Sequence, residues 1–362
     1  MTKPNPANIR IKHKYREFLK ETGQKAEASL DTVDKALVRF EEYTNHKDFK
    51  LFHIQQAIGF KRHISTEKNT KSGKPLSAST MFSTMRHLKA FFQWLSREPG
   101  YKRRISYSDA DYFNITKKDT RIATAKRTKS IPPIDQIRTV LAGMLTETDV
   151  QRRDRALIAF TLLTGARDSA ITSFKLKHLD TARSRIIQNA RDVQTKFSKT
   201  FDSFFYPVGQ DIQEIVAEWE DYLRKELLWG ENDPLFPSTE VSLTDSGSTG
   251  LKREHWKTTD PVRRIFRQAF TNAGLPYYNP HSFRDTLVRY GEKICKTPEQ
   301  FKAWSQNMGH VSVLVTFTSY GNIPVRDQEK IFHSMNNILE KKSSETTDKL
   351  AAIKSILEED YS

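Results

Sequence analysis

The sequence has almost no cysteine and no long apolar segment. Its single cysteine, Cys295, excludes an intramolecular disulfide framework and a zinc site built on cysteines. No run of about 18 apolar residues occurs, so no membrane span is predicted, and the basic N-terminus lacks the apolar stretch of a secretory signal. Hydrophobic residues still make up 37% of the 362, which excludes wholesale disorder. We therefore expect a soluble protein of a reducing, cytoplasm-like compartment.

The usual enzyme motifs are missing as well. The sequence has no GxxxxGK[ST] loop and no GxGxxG segment after a strand, which excludes the common nucleotide sites. It also has no HExxH motif, no Cys/His cluster and no GxSxG elbow. We therefore expect neither a metal site nor a cofactor.

Positive charge is concentrated in the first third of the chain. Residues 1–130 contain 28 lysines and arginines against 13 acidic residues, whereas residues 131–362 contain 31 of each. The net charge of +15 therefore comes from the first segment. Such a field suits a phosphate backbone, because each neutralised phosphate releases counterions. The pattern favours nucleic-acid binding over a merely solubilising surface.

Apolar periodicity predicts a helical region at residues 29–118, after a polar, basic arm at 1–28 that is either flexible or loosely helical. The first helix is expected to begin near Asp31, a suitable N-cap. The clearest helix has one apolar stripe, formed by Met81, Met85, Leu88, Phe92 and Leu95. The basic, proline-containing segment 119–133 is interpreted as a linker.

Residues 134–340 have a different, mixed pattern. Helical patterns precede a segment, 183–208, whose β-branched and aromatic residues predict two or three short strands. The Ser/Thr-rich stretch 232–260 is interpreted as a loop, and 341–362 as a charged tail. The expected fold class is mainly α with a small antiparallel β-sheet in this second domain.

The second domain carries an ordered set of cationic side chains and a tyrosine. Its members are Arg167, Lys199, His281, Arg284, His310 and Tyr320. Attack on a phosphodiester needs charge neutralisation on the non-bridging oxygens, a nucleophile, and a proton for the leaving oxygen. Two arginines can bind the non-bridging oxygens with paired donors. His281 and Arg284, three residues apart, would share one face of a helix.

Four motifs resemble the boxes of the tyrosine recombinase (phage integrase) family, in the same order. They are TGARDSAI around Arg167, FSKTF around Lys199, HSFR from His281 to Arg284, and MGH ending at His310, followed by Tyr320. The basic segment PLSASTMFSTMRHLKAFFQWL resembles the family's core-binding domain, so the resemblance covers about residues 29–340. The sequence departs from the family pattern at two places. Tyr320 follows His310 by ten residues, where nine is common, and Ala170 stands where an acidic residue is frequent. Asp168 is acidic instead.

The resemblance implies a mechanism. Tyr320 would attack the scissile phosphate and form a 3′-phosphotyrosyl link, which preserves the bond energy without ATP or metal. Arg167 and Arg284 would hold the non-bridging oxygens, and His310 would donate a hydrogen bond to the phosphate. Lys199 would protonate the departing 5′ oxygen, and His281 would assist proton transfer. A 5′-hydroxyl from a partner duplex would reverse the step, and two rounds would pass through a Holliday junction.

The resemblance also implies an architecture and partners. The expected fold is a two-domain C-shaped clamp, with a helical, SAM-like core-binding domain at 29–118 and an α+β catalytic domain at 134–340. Double-stranded DNA with inverted repeats at its core sites would bind a monomer or dimer, and two duplexes would assemble a homo-tetramer. An accessory directionality protein is compatible with this scheme, and a membrane partner is not expected. The implied activity is integration and excision of a mobile genetic element in the bacterial cytoplasm.

Several basic side chains are predicted to contact phosphates by charge alone. They are Lys71, Lys74, Arg86, Lys89, Lys126, Arg127 and Lys129. The apolar stretch near 331–339 is predicted to pack on a neighbouring protomer.

The sequence offers alternatives for the lysine, for the nucleophile and for the function. Lys196 competes with Lys199 as the hairpin lysine. Tyr277, Tyr278 and Tyr290 are tyrosines of the same type as the nucleophile, but they precede or flank the HxxR motif, so we interpret them as structural or DNA-contacting. The alternative functions are strand rejoining of the type IB topoisomerase kind and a catalytically silent DNA-binding regulator on the same fold.

Overall fold

The chain divides into two compact units, residues 1–125 and 126–362. The structure, a computed structural model, describes residues 3–23, 27–68, 73–125, 130–195, 199–241 and 249–310. Each unit has its own cluster of buried apolar side chains. Within the described residues, no helix has the length and apolar character needed to cross a lipid bilayer.

The first unit is mainly helical in its described residues. Its α-helices are α1 (Pro6–Glu21), α2 (Glu27–Tyr43), α3 (Ile54–Thr66), α4 (Ala78–Leu95) and α5 (Lys117–Thr124). Helix α4 begins where the hydroxyl of Ser77 accepts a hydrogen bond from the Thr80 amide. Its predicted stripe is confirmed, since four of the five members are buried and Met81 packs partly buried against the same core. Aromatic rings fill that core, where Phe92 contacts both Phe52 and Phe113.

The structure differs from the sequence interpretation at both ends of this unit. Residues 6–21 form helix α1, and its stripe of Ile11, Tyr15 and Leu19 is buried in the helical core. This segment is therefore an integral helix of the unit rather than a polar arm. Helix α2 begins at Glu27, four residues before the expected cap at Asp31. Part of the expected linker is also helical, because α5 extends to Thr124.

The second unit is mainly helical and contains two small antiparallel sheets. Its helices are α6 (Ile134–Ala142), α7 (Asp149–Thr164), α8 (Asp168–Ile171), α9 (Gln210–Asp221), α10 (Asp260–Asn272), α11 (Pro280–Ile294) and α12 (Pro298–Asn307). Its strands are β1 (Leu179–Asp180), β2 (Arg185–Gln188), β3 (Phe201–Phe204), β4 (Ser238–Val241) and β5 (Thr249–Lys252). The expected fold class, mainly α with a small antiparallel sheet, is confirmed.

Strands β1, β2 and β3 form the three-stranded sheet in that order. Strands β2 and β3 pair from Arg185↔Phe204 to Gln188↔Phe201, and residues 189–200 connect them. We call β2, β3 and this connection the β2–β3 hairpin. The segment 232–260 is not a simple loop, because β4 and β5 lie within it and pair with each other. Short polar strands of this kind have no apolar alternation that would identify them in a sequence.

Helix α7 lies at the centre of the second core, and almost every residue of its C-terminal half is buried. The helix ends at Gly165, whose φ of +60° is left-handed, a conformation that glycine adopts without the steric penalty of a Cβ atom. A Cβ at this position would also lie 3.1 Å from the Leu287 side chain of α11. The end of α7 therefore packs closely against α11.

Candidate active site

Arg167 lies at the junction between α7 and α8. It is the N-cap residue of α8, with an extended backbone, two residues after the left-handed Gly165. Its side chain is half-buried, and this burial lowers the pKa of Arg167. The guanidinium still carries its charge at neutral pH, because arginine starts from a very high pKa. This position can therefore present a fixed cation beside the end of α7.

Arg284 connects three parts of the second unit. Its side chain is only 4% exposed on α11. One guanidinium nitrogen, Nη1, donates to the Gly165 carbonyl at the end of α7. The other, Nη2, donates to the Met308 carbonyl at 2.7 Å and lies 3.3 Å from Nε2 of His310. Arg284 thus holds together the segment that leads into Arg167 and the segment that carries His310.

His281 lies on the first turn of α11, three residues before Arg284. The helix begins with Asn279 as its N-cap, whose side chain accepts from the Ser282 amide at 3.1 Å, and with Pro280 at its first position. The His281 side chain is exposed, whereas Arg284 is buried. One helix therefore carries both residues, the first exposed and the second buried.

Lys199 lies in the connection of the β2–β3 hairpin, two residues before β3 begins. Its side chain is half-buried, and its carbonyl accepts a hydrogen bond from the Thr195 hydroxyl at 2.8 Å. Farther back in the same connection, hydrogen bonds from Lys177 and Lys175 lower the pKa of Asp192 to about 2. This ion-pair cluster attaches the hairpin connection to the segment after α8. The competing Lys196 lies outside the described residues.

Strand β3 is attached to the end of α12. The hydroxyl of Ser203 donates to the Asn307 carbonyl at 3.0 Å. Gly309 has a φ of +68°, and a Cβ at this position would lie 2.6 Å from Cζ of Phe201. The glycine before His310 is thus needed both for its backbone conformation and for the closeness of the Phe201 ring. The hairpin with Lys199 therefore contacts the same turn that carries His310.

The structure brings five of the six predicted site residues onto mutually contacting segments. They are Arg167, Lys199, His281, Arg284 and His310. Tyr320 lies outside the described residues. The part of the chain that the structure describes contains no group of three or more His, Cys, Asp or Glu side chains arranged to hold a metal ion. The arrangement of the five residues is suited to binding and polarising an anion such as a phosphodiester.

Sequence reasoning did not identify several supporting contacts of this site. Asp168, noted only for its charge, forms an ion pair with Arg263 of α10 at 2.8 Å. Asn307 is a second supporting residue, which contacts β3 through its backbone and its side chain. Its position three residues before His310 gives no signal in a single sequence, because an asparagine near a helix end is common for capping reasons alone.

The predicted phosphate-contacting residues belong mostly to the first unit. Lys74 and Arg86 have exposed side chains. Lys89 is half-buried, and its ammonium group lies 2.8 Å from the carboxylate of Asp111. The remaining candidates lie outside the described residues: Lys71, Lys126, Arg127 and Lys129.

Comparison with known proteins agrees with the family that the sequence resembles. Residues 134–320 match the phage integrase family. The tyrosine recombinase XerC of Lactobacillus delbrueckii subsp. bulgaricus is 26% identical over 234 residues, which are 63% of this chain and 69% of that protein. The tyrosine recombinase XerD of Neisseria meningitidis serogroup B is 27% identical over 219 residues, 58% of this chain and 65% of that protein.

Solved structures share the fold at low sequence identity. A lambda integrase dimer bound to a COC′ core site has a TM-score of 0.58 at 14% identity, covering 87% of this chain and 98% of that chain. The Tn1549 transposon integrase in complex with transposon right end DNA has a TM-score of 0.59 at 14% identity, covering 90% and 99%. The fold is thus of the tyrosine recombinase class. The chain belongs to the phage integrase family.

Proposed function

We propose that this chain is a site-specific DNA recombinase that cleaves and rejoins DNA through a 3′-phosphotyrosyl bond to Tyr320. The contacts of Arg284 are the observation that carries the proposal. This buried guanidinium binds the end of α7, which leads into Arg167, and the turn that bears His310. Arg167, Arg284 and His310 thereby lie on segments that meet at the Arg284 guanidinium. A pentavalent phosphate carries extra negative charge, and a group of fixed hydrogen-bond donors of this kind can stabilise it.

The cleavage step assigns one task to each group. The phenolic oxygen of Tyr320 forms a bond to phosphorus while the bond from phosphorus to the 5′ oxygen breaks. His281 takes up the phenolic proton, and Lys199 gives a proton to the departing oxygen. The phosphodiester is exchanged for a phosphotyrosyl ester, so the reaction needs no ATP. Attack by a 5′-hydroxyl from a second duplex reverses these transfers and joins the exchanged strands.

The phosphate charge is balanced by side chains of the protein itself. Arg167 and Arg284 bind the non-bridging oxygens, and His310 adds a hydrogen bond. Removing one such donor from a preorganised site typically slows a reaction by about 10²–10³-fold. The lowered pKa of Arg167 reflects its burial, and the same burial strengthens its attraction to a phosphate by excluding water.

The positively charged first unit is proposed to bind the DNA backbone. Lys74 and Arg86 have the exposure that a phosphate contact needs, and Lys89 would exchange Asp111 for a phosphate. The remaining candidates are Lys71, Lys126, Arg127 and Lys129. The structures of the lambda and Tn1549 integrases were solved in complex with DNA. We propose double-stranded DNA as the substrate of this chain as well.

The biological assembly is proposed on the same basis. Two protomers bind inverted repeats on one duplex, and two such duplexes form a tetramer in which residues 331–339 pack on a neighbouring protomer. This range lies outside the described residues. The proposed role is integration and excision of a mobile element in the bacterial cytoplasm.

The proposal is tested by trapping the covalent intermediate. Duplexes that bind the full chain are first selected from a random-sequence library, so that no target has to be assumed. A nick placed just 3′ of the cleavage position lets the short fragment that carries the released 5′-hydroxyl diffuse away, which leaves the protein attached to the rest of the DNA. Wild type and Tyr320→Phe are incubated with these duplexes in EDTA and separated on a denaturing gel.

A slowly migrating protein–DNA adduct is expected for wild type and none for Tyr320→Phe. Tyr290→Phe is the matched control, because it also removes a tyrosine hydroxyl, one that donates to the Pro207 carbonyl at 3.0 Å. It should form the adduct. Specific binding without any adduct would contradict the proposal and favour the silent regulator, and an adduct in Tyr320→Phe would show that another residue is the nucleophile.

A further inference from the structure

Strand β3 has Asn307 on the side opposite to β2. The Phe204 amide donates to Oδ1 of Asn307 at 2.6 Å, and Nδ2 of Asn307 donates back to the Phe204 carbonyl at 2.8 Å. This double exchange reproduces the hydrogen-bonded pair of an antiparallel ladder, with a side-chain amide in place of a strand. The primary amide of asparagine is suited to this, because it offers an acceptor and a donor side by side.

A second contact joins the same two elements. Ser203 is fully buried in β3, and its hydroxyl donates to the backbone carbonyl of Asn307 at 3.0 Å. That hydroxyl in turn accepts a hydrogen bond from the side-chain amide nitrogen Nε2 of Gln188 on β2 at 2.8 Å. Both strands of the hairpin are therefore connected to Asn307 through a polar network that is buried at Gln188 and Ser203 and more exposed at Asn307, and such a network rigidifies a structure when its members are satisfied.

The turn that follows Asn307 contacts the rest of the site. The Met308 carbonyl accepts from Arg284, and Gly309 lies against the ring of Phe201. Residues 201, 203 and 204 of β3 are thus all attached to residues 307–309, and one residue, Thr200, separates Lys199 from the first attached position. Thr200 is itself held, because its hydroxyl accepts from the Ala190 amide at 3.1 Å.

We propose that Asn307 is a positioning residue that fixes the β2–β3 hairpin so that Lys199 reaches the departing 5′ oxygen. This inference rests on the proposed function, in which Lys199 donates that proton. Proton transfer requires hydrogen-bond reach, and a displacement of about 1 Å can slow a reaction by about 10²-fold. Asn307 touches neither DNA nor the reacting atoms in this proposal. It acts through the position of β3.

The test separates a displaced proton donor from general damage. Each variant is assayed on two versions of the nicked duplex that wild type binds, one with the natural 5′ oxygen at the cleavage position and one with sulfur in its place. A thiol has a pKa of about 8.5, far below that of an alcohol, so sulfur leaves as a thiolate without a donated proton. A defect in Lys199 or in its position should therefore be rescued by sulfur.

Asn307→Ala is expected to slow adduct formation about 10²-fold on the oxygen duplex and less than about threefold on the sulfur duplex, in parallel with Lys199→Ala. Gln306→Ala, at the exposed neighbouring position, is the matched control and should leave both rates unchanged. His310→Ala should slow both duplexes alike, because its phosphate contact is needed with either leaving group. If Asn307→Ala does not fold, Ser203→Ala replaces it in the test. This variant keeps the two hydrogen bonds between Asn307 and Phe204, so we expect a smaller slowing of adduct formation that is again confined to the oxygen duplex.

The outcomes distinguish the two proposals. Equal slowing of Asn307→Ala on both duplexes, or unchanged rates on both, would overturn the positioning role while leaving the recombinase intact. Failure of sulfur to rescue Lys199→Ala would overturn the role of Lys199 and the inference with it. If wild type formed no adduct on either duplex, the proposed function itself would be wrong.

Discussion

Substituting Gly309 by alanine should show how closely the hairpin is bound to the turn before His310. Gly309 has a φ of +68°, and an added Cβ would lie 2.6 Å from Cζ of Phe201. Gly274 provides a matched control, because its φ is +69° and no described atom lies within 4 Å of a Cβ added there. Both substitutions force an L side chain into the left-handed region, and only one of them creates a clash.

The two costs can be estimated separately. Placing alanine in the left-handed region costs about 1–2 kcal/mol, which is the whole expected loss for Gly274→Ala. Overpacking a tightly packed site adds about 1–3 kcal/mol. Gly309→Ala should therefore lower the free energy of unfolding by about 2–5 kcal/mol. In a Phe201→Ala background the added loss should fall back to the value for Gly274→Ala, because the ring that causes the clash is gone.

Urea unfolding of the full chain, followed by tryptophan fluorescence, measures these differences. Four of the five tryptophans lie in residues 126–362, so the signal reports mainly on the second unit. Equal losses for Gly309→Ala and Gly274→Ala would refute the close contact between the ring and the turn. A loss at Gly309 that persists without the Phe201 ring would assign the cost to another cause.

Three further predictions concern stability, DNA binding and pH. Arg284→Ala should lower the free energy of unfolding by about 1–3 kcal/mol for each backbone carbonyl that loses its donor. His281→Ala changes an exposed position and should lower it by less, so equal urea midpoints for the two variants would contradict this prediction. Arg86→Gln should reduce the slope of log binding constant against log salt concentration by about 1, and an unchanged slope in anisotropy titrations would exclude a phosphate contact. Asp192→Asn should be less stable than wild type at pH 6, because a carboxylate whose folded pKa is lowered to about 2 stabilises the fold above its unfolded pKa. Its deficit in urea midpoint should shrink as the pH falls from about 4 toward 2, and a deficit that does not change with pH would refute the ion-pair explanation.

The elements predicted well are those whose own residues carry a periodic signal. The stripe of α4 could be identified because apolar side chains recur at helical spacing on a face that is buried in the structure. The hairpin could be expected from β-branched and aromatic residues on both sides of a polar centre. Further helices are expected after residue 261, and α11 is one that carries both His281 and Arg284.

The elements missed depend on contacts that are distant in sequence. The sequence of helix α1 indicates an arm, because its three buried apolar residues are diluted by charge. Its burial includes contacts of Tyr15 with the Phe91 and Trp94 rings of α4. Tertiary packing supplies most of the stability of such a helix, so local sequence is a weak guide. The contacts of Asn307 with β3 span 103 residues of sequence, and no local pattern encodes a pair of that separation.

The most direct test of the recombinase assignment is strand exchange between two duplexes of different length that carry the selected site. Wild type is predicted to produce strands of recombinant length, with a four-way junction that forms and decays before them, and Tyr320→Phe to produce neither. A covalent adduct followed only by parental strands would contradict recombination, because it would show that the protein rejoins the strand it cut, as a type IB topoisomerase does.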